Sequence, residues 1–350
     1  MSRRTVRRIP AVSVPCALLL VLGAAGCVER NLVADGMVVT AAPADRSPAP
    51  TDPEYHTALQ ITWLGTACYL IRVGDTAVFT DPFVTRHSVV RVGLGTLESD
   101  RALVARLAAD LPVPDAVLVT HGHYDHLLDA AEFLRQPGWG AVPVYGNATT
   151  ANILAGYGLP GLRTCTLDPR QGAQPVGAHL RVTALPAAHA NQLPGFPVLY
   201  SGEVAEPRTT PPTRADDFQM GDCRWYLIEI GSPALAEPYR LLFAAGAADG
   251  NPRHYPEGPM DAALLCVASW KFAPGYPQGL IRMAKPRNIV MAHFDNFFQV
   301  NGGEREVVPW AYVDEFLVTA QKAADHPGFE RILMPAVGST VVIRKPAARR

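Results

Sequence analysis

Four side chains able to ligate a metal fall within the six residues His121-Gly122-His123-Tyr124-Asp125-His126. Imidazole and carboxylate together suit zinc, and also iron or manganese. The run follows an apolar, β-branched stretch at 115–120 and precedes residues with helical spacing. It therefore occupies a strand-to-helix turn, which can converge ligands that neither a strand nor a helix gathers alone. A solvated histidine-rich turn does not account for HxHxDH sitting directly behind a buried strand. Competing chemistries are missing. There is no serine nucleophile elbow, phosphate-binding loop or dinucleotide fingerprint, and Gly93-Leu94-Gly95 lacks the third glycine.

The elements that must position this cluster follow from periodicity. Short strands are expected at 59–64, 68–73, 77–80, 115–120 and 142–145, and helices at 98–111, 127–135 and 149–157. A second set follows, with strands at 179–185, 224–230, 239–244, 262–267 and 288–292 and helices at 277–284 and 307–324. A final strand pair at 332–334 and 340–343 closes the chain. Two such sets predict two β-sheets packed face to face with helices outside, in one domain spanning 55–345. The polar, Pro-containing stretch 201–222 reads as a long loop that shapes specificity.

Composition sets limits. The 350 residues carry 31 Lys+Arg against 32 Asp+Glu, which leaves no basic surplus for a nucleic-acid partner. With 18% charged and 48% hydrophobic residues, the chain can bury a substantial core. The 29 glycines and 32 prolines predict many loops and short elements. No apolar run in the body reaches about 18 residues, which excludes a multi-span membrane protein.

Residues 1–27 read as an export leader. Arg3, Arg4, Arg7 and Arg8 precede an apolar run, and Ala24-Ala25-Gly26-Cys27 resembles a bacterial lipobox with Ala24 where leucine is usual. Cys27 is the expected lipidation site, and the arginine pair near the start resembles a twin-arginine export motif. The result would be an exported, membrane-anchored lipoprotein, in the periplasm on the outer membrane if the host has two membranes, because Val28 rather than Asp follows the cysteine. Residues 28–54 are Pro-rich, lack periodicity and read as a flexible tether. Of six cysteines, Cys16 and Cys27 belong to the leader. Cys68, Cys165, Cys223 and Cys266 form no CxxC pair, and sequence leaves any disulfide open. Cys68 and Cys266 lie in apolar strand-like runs and are expected as buried thiols.

Two further segments carry a family resemblance: Thr62-Trp63-Leu64-Gly65-Thr66-Ala67-Cys68-Tyr69-Leu70-Ile71 and Val78-Phe79-Thr80-Asp81-Pro82-Phe83. Together with HxHxDH they resemble the metallo-β-lactamase-fold hydrolases over residues 55–345. Within that superfamily they look most like the branch of ascorbate-6-phosphate lactonase and N-acyl-phosphatidylethanolamine phospholipase D. The resemblance implies an α/β fold, a four-layer αβ/βα sandwich, holding one or two zinc ions, with manganese or iron as substitutes. It implies His121, His123 and His189 around a first metal and Asp125, His126 and His293 around a second. His189 and His293 each end an apolar strand in the expected order, although singly each is as well read as a core or surface histidine. It implies a metal-activated water attacking an ester, lactone or phosphodiester in a small-molecule or lipid-like substrate, with Asp125 holding the water or taking its proton.

One position departs from the family. Its metal-bridging Asp aligns with Ala247, and Asp249 falls two residues late, able to reach the site only if the turn is rebuilt. The second metal should then be the weaker. Asp81 either orients a ligand imidazole or is an exposed turn acid. His254 and Tyr255 are expected near the pocket mouth. A rival reading, a non-catalytic metal- or ligand-binding lipoprotein, gains from the missing bridge and loses from the otherwise intact set of six. Oligomeric state is not readable.

Overall fold

A computed structural model describes residues 39–41, 48–192, 196–300, 306–308 and 310–346. Cys27, the leader and most of the tether lie outside the described residues. One sheet contains β2 (Leu59–Gly65), β3 (Cys68–Val73), β4 (Thr76–Thr80), β5 (Ala116–Leu118), β6 (Val144–Gly146), β7 (Thr164–Thr166) and β15 (Thr340–Ile343), in the order β15-β2-β3-β4-β5-β6-β7. The other contains β1 (Val39–Ala41), β8 (Gln174–Gly177), β9 (Leu180–Ala187), β10 (Cys223–Ile230), β11 (Tyr239–Ala244), β12 (Met260–Cys266), β13 (Pro286–Ala292) and β14 (Arg331–Met334). Its order is β1-β14-β13-β12-β11-β10-β9-β8.

The sheets face each other across an apolar core. β12 is buried at every position, as a strand covered on both faces must be. Tyrosines stitch the layers together. The Tyr69 hydroxyl on β3 donates to the carbonyl of Met291 on β13 at 2.9 Å. The Tyr226 hydroxyl on β10 donates to the carbonyl of Val119 at 2.7 Å, just past β5. Each buries a ring between the sheets while satisfying its polar end.

The helices are α1 (Val89–Leu94), α2 (Arg101–Asp110), α3 (Tyr124–Leu127), α4 (Ala130–Leu134), α5 (Ala148–Ala155), α6 (Gln278–Ala284) and α7 (Val313–Ala323). Side-chain caps fix three starts, with Ser88 Oγ accepting the Arg91 N–H at 3.3 Å ahead of α1. The Asp100 carboxylate accepts the Leu103 N–H at 3.0 Å ahead of α2, and Asn147 accepts the Thr150 N–H at 2.7 Å ahead of α5. α7 buries Val313, Phe316, Leu317 and Ala320, the stripe that a helix lying on a sheet needs.

Several sequence expectations change. The closing strands do not pair with each other. β14 runs parallel to β13 in one sheet, while β15 runs antiparallel to β2 in the other. Between them the Gly338 N–H, at φ +81°, donates to the carbonyl of Trp63 and turns the chain across the sandwich. The helix expected at 127–135 divides into α3 and α4. At the junction the buried Asp129 carboxylate accepts the Val84 and Thr85 N–H groups and the Thr85 hydroxyl. The helix expected from 307 starts at Val313, because Val307 bridges Asp295 and the Val308 N–H donates to Phe294. The stretch read as a tether contributes β1, which pairs in parallel with β14.

Strand direction sets the site. β4, β5 and β6 are mutually parallel, as are β11, β12 and β13. β9 is antiparallel to β10, and β10 to β11, so β9 runs with β11. The C-terminal ends of β4, β5, β9, β11 and β13 thus deliver Asp81, His121, His189, Gly246 and His293 to one edge of the sandwich.

Candidate metal centre

His121 follows β5 and His123 caps α3, with Gly122 between them. A Cβ at Gly122 would lie 2.2 Å from the Gln219 carbonyl, so only glycine lets the turn press against that loop. The first turn of α3 then presents Asp125 and His126. His121 Nε2 lies 3.0 Å from His123 Nδ1, and the His189 ring stands 5.0 Å from that of His121 and 5.3 Å from that of His123. One ligand atom each from His121, His123 and His189 falls within 4.8 Å of the others, and the same holds for Asp125, His126 and His293. Asp125 Oδ2 is 3.6 Å from His126 Nε2 and 3.4 Å from His293 Nε2. The His121 and His126 rings, 4.2 Å apart, join the two groups.

Asp81 organises both. Its backbone sits at φ +37°, a conformation that surrounding structure must impose. Its carboxylate is wholly buried. It accepts the Thr120 N–H at 2.7 Å, the Thr120 hydroxyl at 2.7 Å and His126 Nδ1–H at 2.9 Å. With its proton committed to Asp81, Thr120 Oγ1 accepts His121 Nδ1–H at 3.1 Å. Asp81 therefore sets the tautomers of His126 directly and of His121 through Thr120, turning each Nε2 towards the cluster. The exposed-acid alternative for Asp81 does not hold. Thr120 went unnoticed in the sequence, although it immediately precedes the motif. Gly246 makes room for it, since a Cβ there would lie 2.1 Å from Thr120 Oγ1.

His293 is also held in the left-handed region, at φ +57°. Its N–H donates to the Thr66 carbonyl at 2.9 Å, and its carbonyl accepts the Ala268 N–H at 3.0 Å. Thr66 is fixed in turn by Asp295, which accepts the Thr66 N–H at 2.9 Å and pairs with the buried Arg86 at 2.9 Å.

Burial is the main force on the imidazoles. It pushes His123 down to about 4 and His189 down to about 3, with the crowded neighbouring imidazoles adding to the effect on His189. His121 is likewise held well below the usual range, by burial and then by His126, His123 and His189. Burial also opposes charge on His126, but the Asp125 and Asp81 carboxylates outweigh it and raise that pKa. Burial would raise Asp125, yet His126 and His293 hold it well below the usual carboxylate range. Three neutral imidazoles and an ionised carboxylate are the forms in which these side chains donate lone pairs to a cation. The donor set fits a divalent metal in a further respect. His126 Nε2 is buried without a hydrogen-bond partner while Nδ1 is occupied by Asp81.

Both groups open onto one cavity. Its walls include the rings of Tyr124, Tyr200, Phe297, Phe298 and Trp310, with Gln192 and Ser269 as polar groups and Ala247 and Ala248 beside them. Ala247, the residue that the sequence aligns with the family's bridging Asp, lines the cavity. Asp249 does not replace it. Its carboxylate is buried against the Ala188 N–H, the Asn251 N–H and His254, outside both ligand groups. The expectation for His254 and Tyr255 also changes. Neither lines the cavity, because His254 pairs with Asp249 and the Tyr255 hydroxyl donates to the Asp249 carbonyl at 2.8 Å. The 201–222 loop supplies no wall either. It buttresses the motif instead, accepting the Gly122 N–H at the Met220 carbonyl at 2.9 Å. Among the described residues Cys68, Cys223 and Cys266 are free and buried, and Cys165 is free and partly exposed.

Two mixed sheets face to face with helices outside, and ligands gathered at strand ends, define the metallo-β-lactamase fold. Residues 76–199 match the family described as Beta-lactamase superfamily domain. The UPF0173 metal-dependent hydrolase of Methanopyrus kandleri is 30% identical over 135 residues, covering 39% of this chain and 49% of that protein, about half its length. The UPF0173 metal-dependent hydrolase of Anaeromyxobacter sp. (strain K) is 25% identical over 255 residues, covering 71% of this chain and 79% of that one. Among solved structures, Igni18, a metallo hydrolase from Ignicoccus hospitalis, aligns with a TM-score of 0.48 at 16% identity, over 83% of this chain and 100% of that one.

Proposed function

We propose that this chain is a metal-dependent hydrolase acting on an ester, lactone or phosphodiester. The observation that carries the reading is the convergence of two three-residue ligand groups on the floor of one cavity. His121, His123 and His189 would hold one ion, and Asp125, His126 and His293 a second. Zinc is the expected metal, with manganese or iron as alternatives. When bound there, a divalent cation supplies Lewis acidity and lowers the pKa of water from about 15.7 towards roughly 7.

The protein's own groups do the rest. Asp125 is ionised and borders the cavity, so it can orient a water and accept its proton. Asp81 and Thr120 keep the His126 and His121 rings in the orientation that leaves Nε2 free. The aromatic walls exclude water and offer apolar surface to the substrate. They support a substrate with an apolar part, and a lipid-like molecule meets that condition. α1 exposes Val90 and Leu94 beside Val92, which lines the cavity, and Phe196 is exposed four residues before Tyr200.

The reading extends to location. An exported lipoprotein would carry residues 1–27 as its leader, 28–54 as tether and 55–345 as catalytic domain, anchored through a lipid on Cys27. The lipobox-like sequence supports this. Cys27→Ser should abolish lipid labelling and release soluble exported protein, and retention of the variant in membranes would refute the anchor. The activity is tested by metal analysis of protein purified without added metal, beside a screen of ester, lactone and phosphodiester substrates. Metal-dependent turnover of one class is expected. Metal-free protein as active as metal-loaded protein would overturn the reading.

A further inference from the structure

We infer that Asp249 is a positioning residue for His189, which it holds in place for the first ligand group without touching that group. The inference rests on the metal-centre reading above.

His189 needs such support. The β9–β10 ladder ends with Ala187 opposite Cys223, so the histidine lies beyond the last strand pair. Its ring makes one local bond, Nδ1–H to the carbonyl of Ala190 at 2.6 Å. Both flanking amides are tied to a single neighbouring segment. The Ala188 N–H donates to Asp249 Oδ2 at 2.7 Å, and the Ala190 N–H donates to the Ala248 carbonyl at 3.0 Å.

Asp249 is itself anchored. Oδ1 accepts the Asn251 N–H at 2.7 Å, Oδ2 also faces His254 Nδ1 at 2.5 Å, and its carbonyl accepts the Tyr255 hydroxyl. The residue is 2% exposed, so these partners replace all the water its carboxylate would otherwise bind. A buried carboxylate with three donors on it has one geometry, and that geometry fixes the backbone on the N-terminal side of His189. The acid that falls two residues late in the sequence thus acts on the metal centre through the backbone of a ligand.

The test uses cobalt(II) and zinc on the full mature chain. Affinity is measured by competition with a chromophoric chelator, and cobalt coordination by its visible absorption. Asp249→Ala should weaken the tighter ion by roughly 10–100-fold, as loss of groups that orient ligands generally does. The cobalt spectrum should shift as His189 disengages. Asp249→Asn keeps an acceptor for the Ala188 N–H and should recover much of the loss. In a His189→Ala background Asp249→Ala should add no further loss of affinity, because its target is gone.

A purely structural role predicts another outcome: lower thermal stability of the metal-free protein, with wild-type affinity and spectrum in the folded fraction. That result overturns the proposal. If Asp249→Ala does not fold, His254→Ala, which removes one of the donors that anchor the carboxylate, carries the test, and wild-type metal affinity in that variant overturns the proposal. His121→Ala separates the two readings. If it too binds metal normally, the metal-centre reading fails. If it loses metal while the Asp249 variants keep it, only the clamp fails.

Discussion

His121, His123 and His189 reach the cavity floor as neutral imidazoles, one of them on a partly exposed turn beyond its strand. Asp125, His126 and His293 bring a carboxylate, with His126 bonded directly to the buried Asp81 and His293 held on a strained backbone. The first group gives a complete set of three uncharged nitrogen donors. The second has a built-in negative charge, and beside it Ala247 offers the cavity only a methyl group. Direct bracing therefore does not make the second group the stronger site. Each group offers three protein ligands, so ligand number does not separate them; we assign the tightly held ion to the imidazole trio, the all-nitrogen set that suits zinc.

The sharpest way to break the contrast is His121→Ala. It leaves the first group with two protein ligands, so metal and turnover should both fall to background. Metal content by mass spectrometry beside turnover on the best substrate reads this, and retention of both would remove the trio from the chemistry.

Asp125→Asn should keep the fold and the first ion, whose imidazoles are untouched. Turnover should nevertheless drop by about 10²–10⁴-fold, because an amide cannot take a proton from water. A variant that loses the first ion as well would show that the two groups are not separable.

Asp81→Asn should act on both groups, weakening metal binding by roughly 10–100-fold. It affects His126 through a direct bond and His121 through Thr120, so Thr120→Val should disturb His121 alone and cost less. Equal losses in the two variants would contradict the relay.

How much of this was legible in the sequence depended on distance along the chain. His121, His123, Asp125 and His126 announced themselves because one turn gathers them. His189 and His293 became legible only through the resemblance, because a single histidine after an apolar strand looks the same whether it meets a metal or packs in a core. The roles of Asp249 and the 201–222 loop were not legible for a related reason. Both lie near the site, but their side chains and carbonyls point at backbone amides rather than into the cavity, and no local sequence signal encodes that. The two sheets were visible in strand periodicity. The division of β14 and β15 between them was not, because both are short apolar runs that pair equally well with any suitable edge.

The smallest expected effect is on stability. In the metal-free protein His123 and His189 have folded values near 4 and 3 against an ordinary 6.5. The unfolded chain binds more protons between those limits, so stability should fall as pH drops from 6.5 towards 3. His126 is raised and works in the opposite sense, its contribution fully present below pH 6.5 and lost as pH rises through its folded value. Thermal melts of metal-free protein across this range should show the decline, and His189→Ala should flatten it. A slope unchanged in that variant would mean that the imidazole trio is not the group being protonated.

The difference between the two groups is tested most directly by titrating zinc into metal-free protein and measuring heat and stoichiometry together. One tightly bound equivalent is expected, lost in His121→Ala and retained in Asp125→Asn, followed by a second, weaker equivalent that Asp125→Asn removes. Two equally tight equivalents, or no binding at all, would contradict the account.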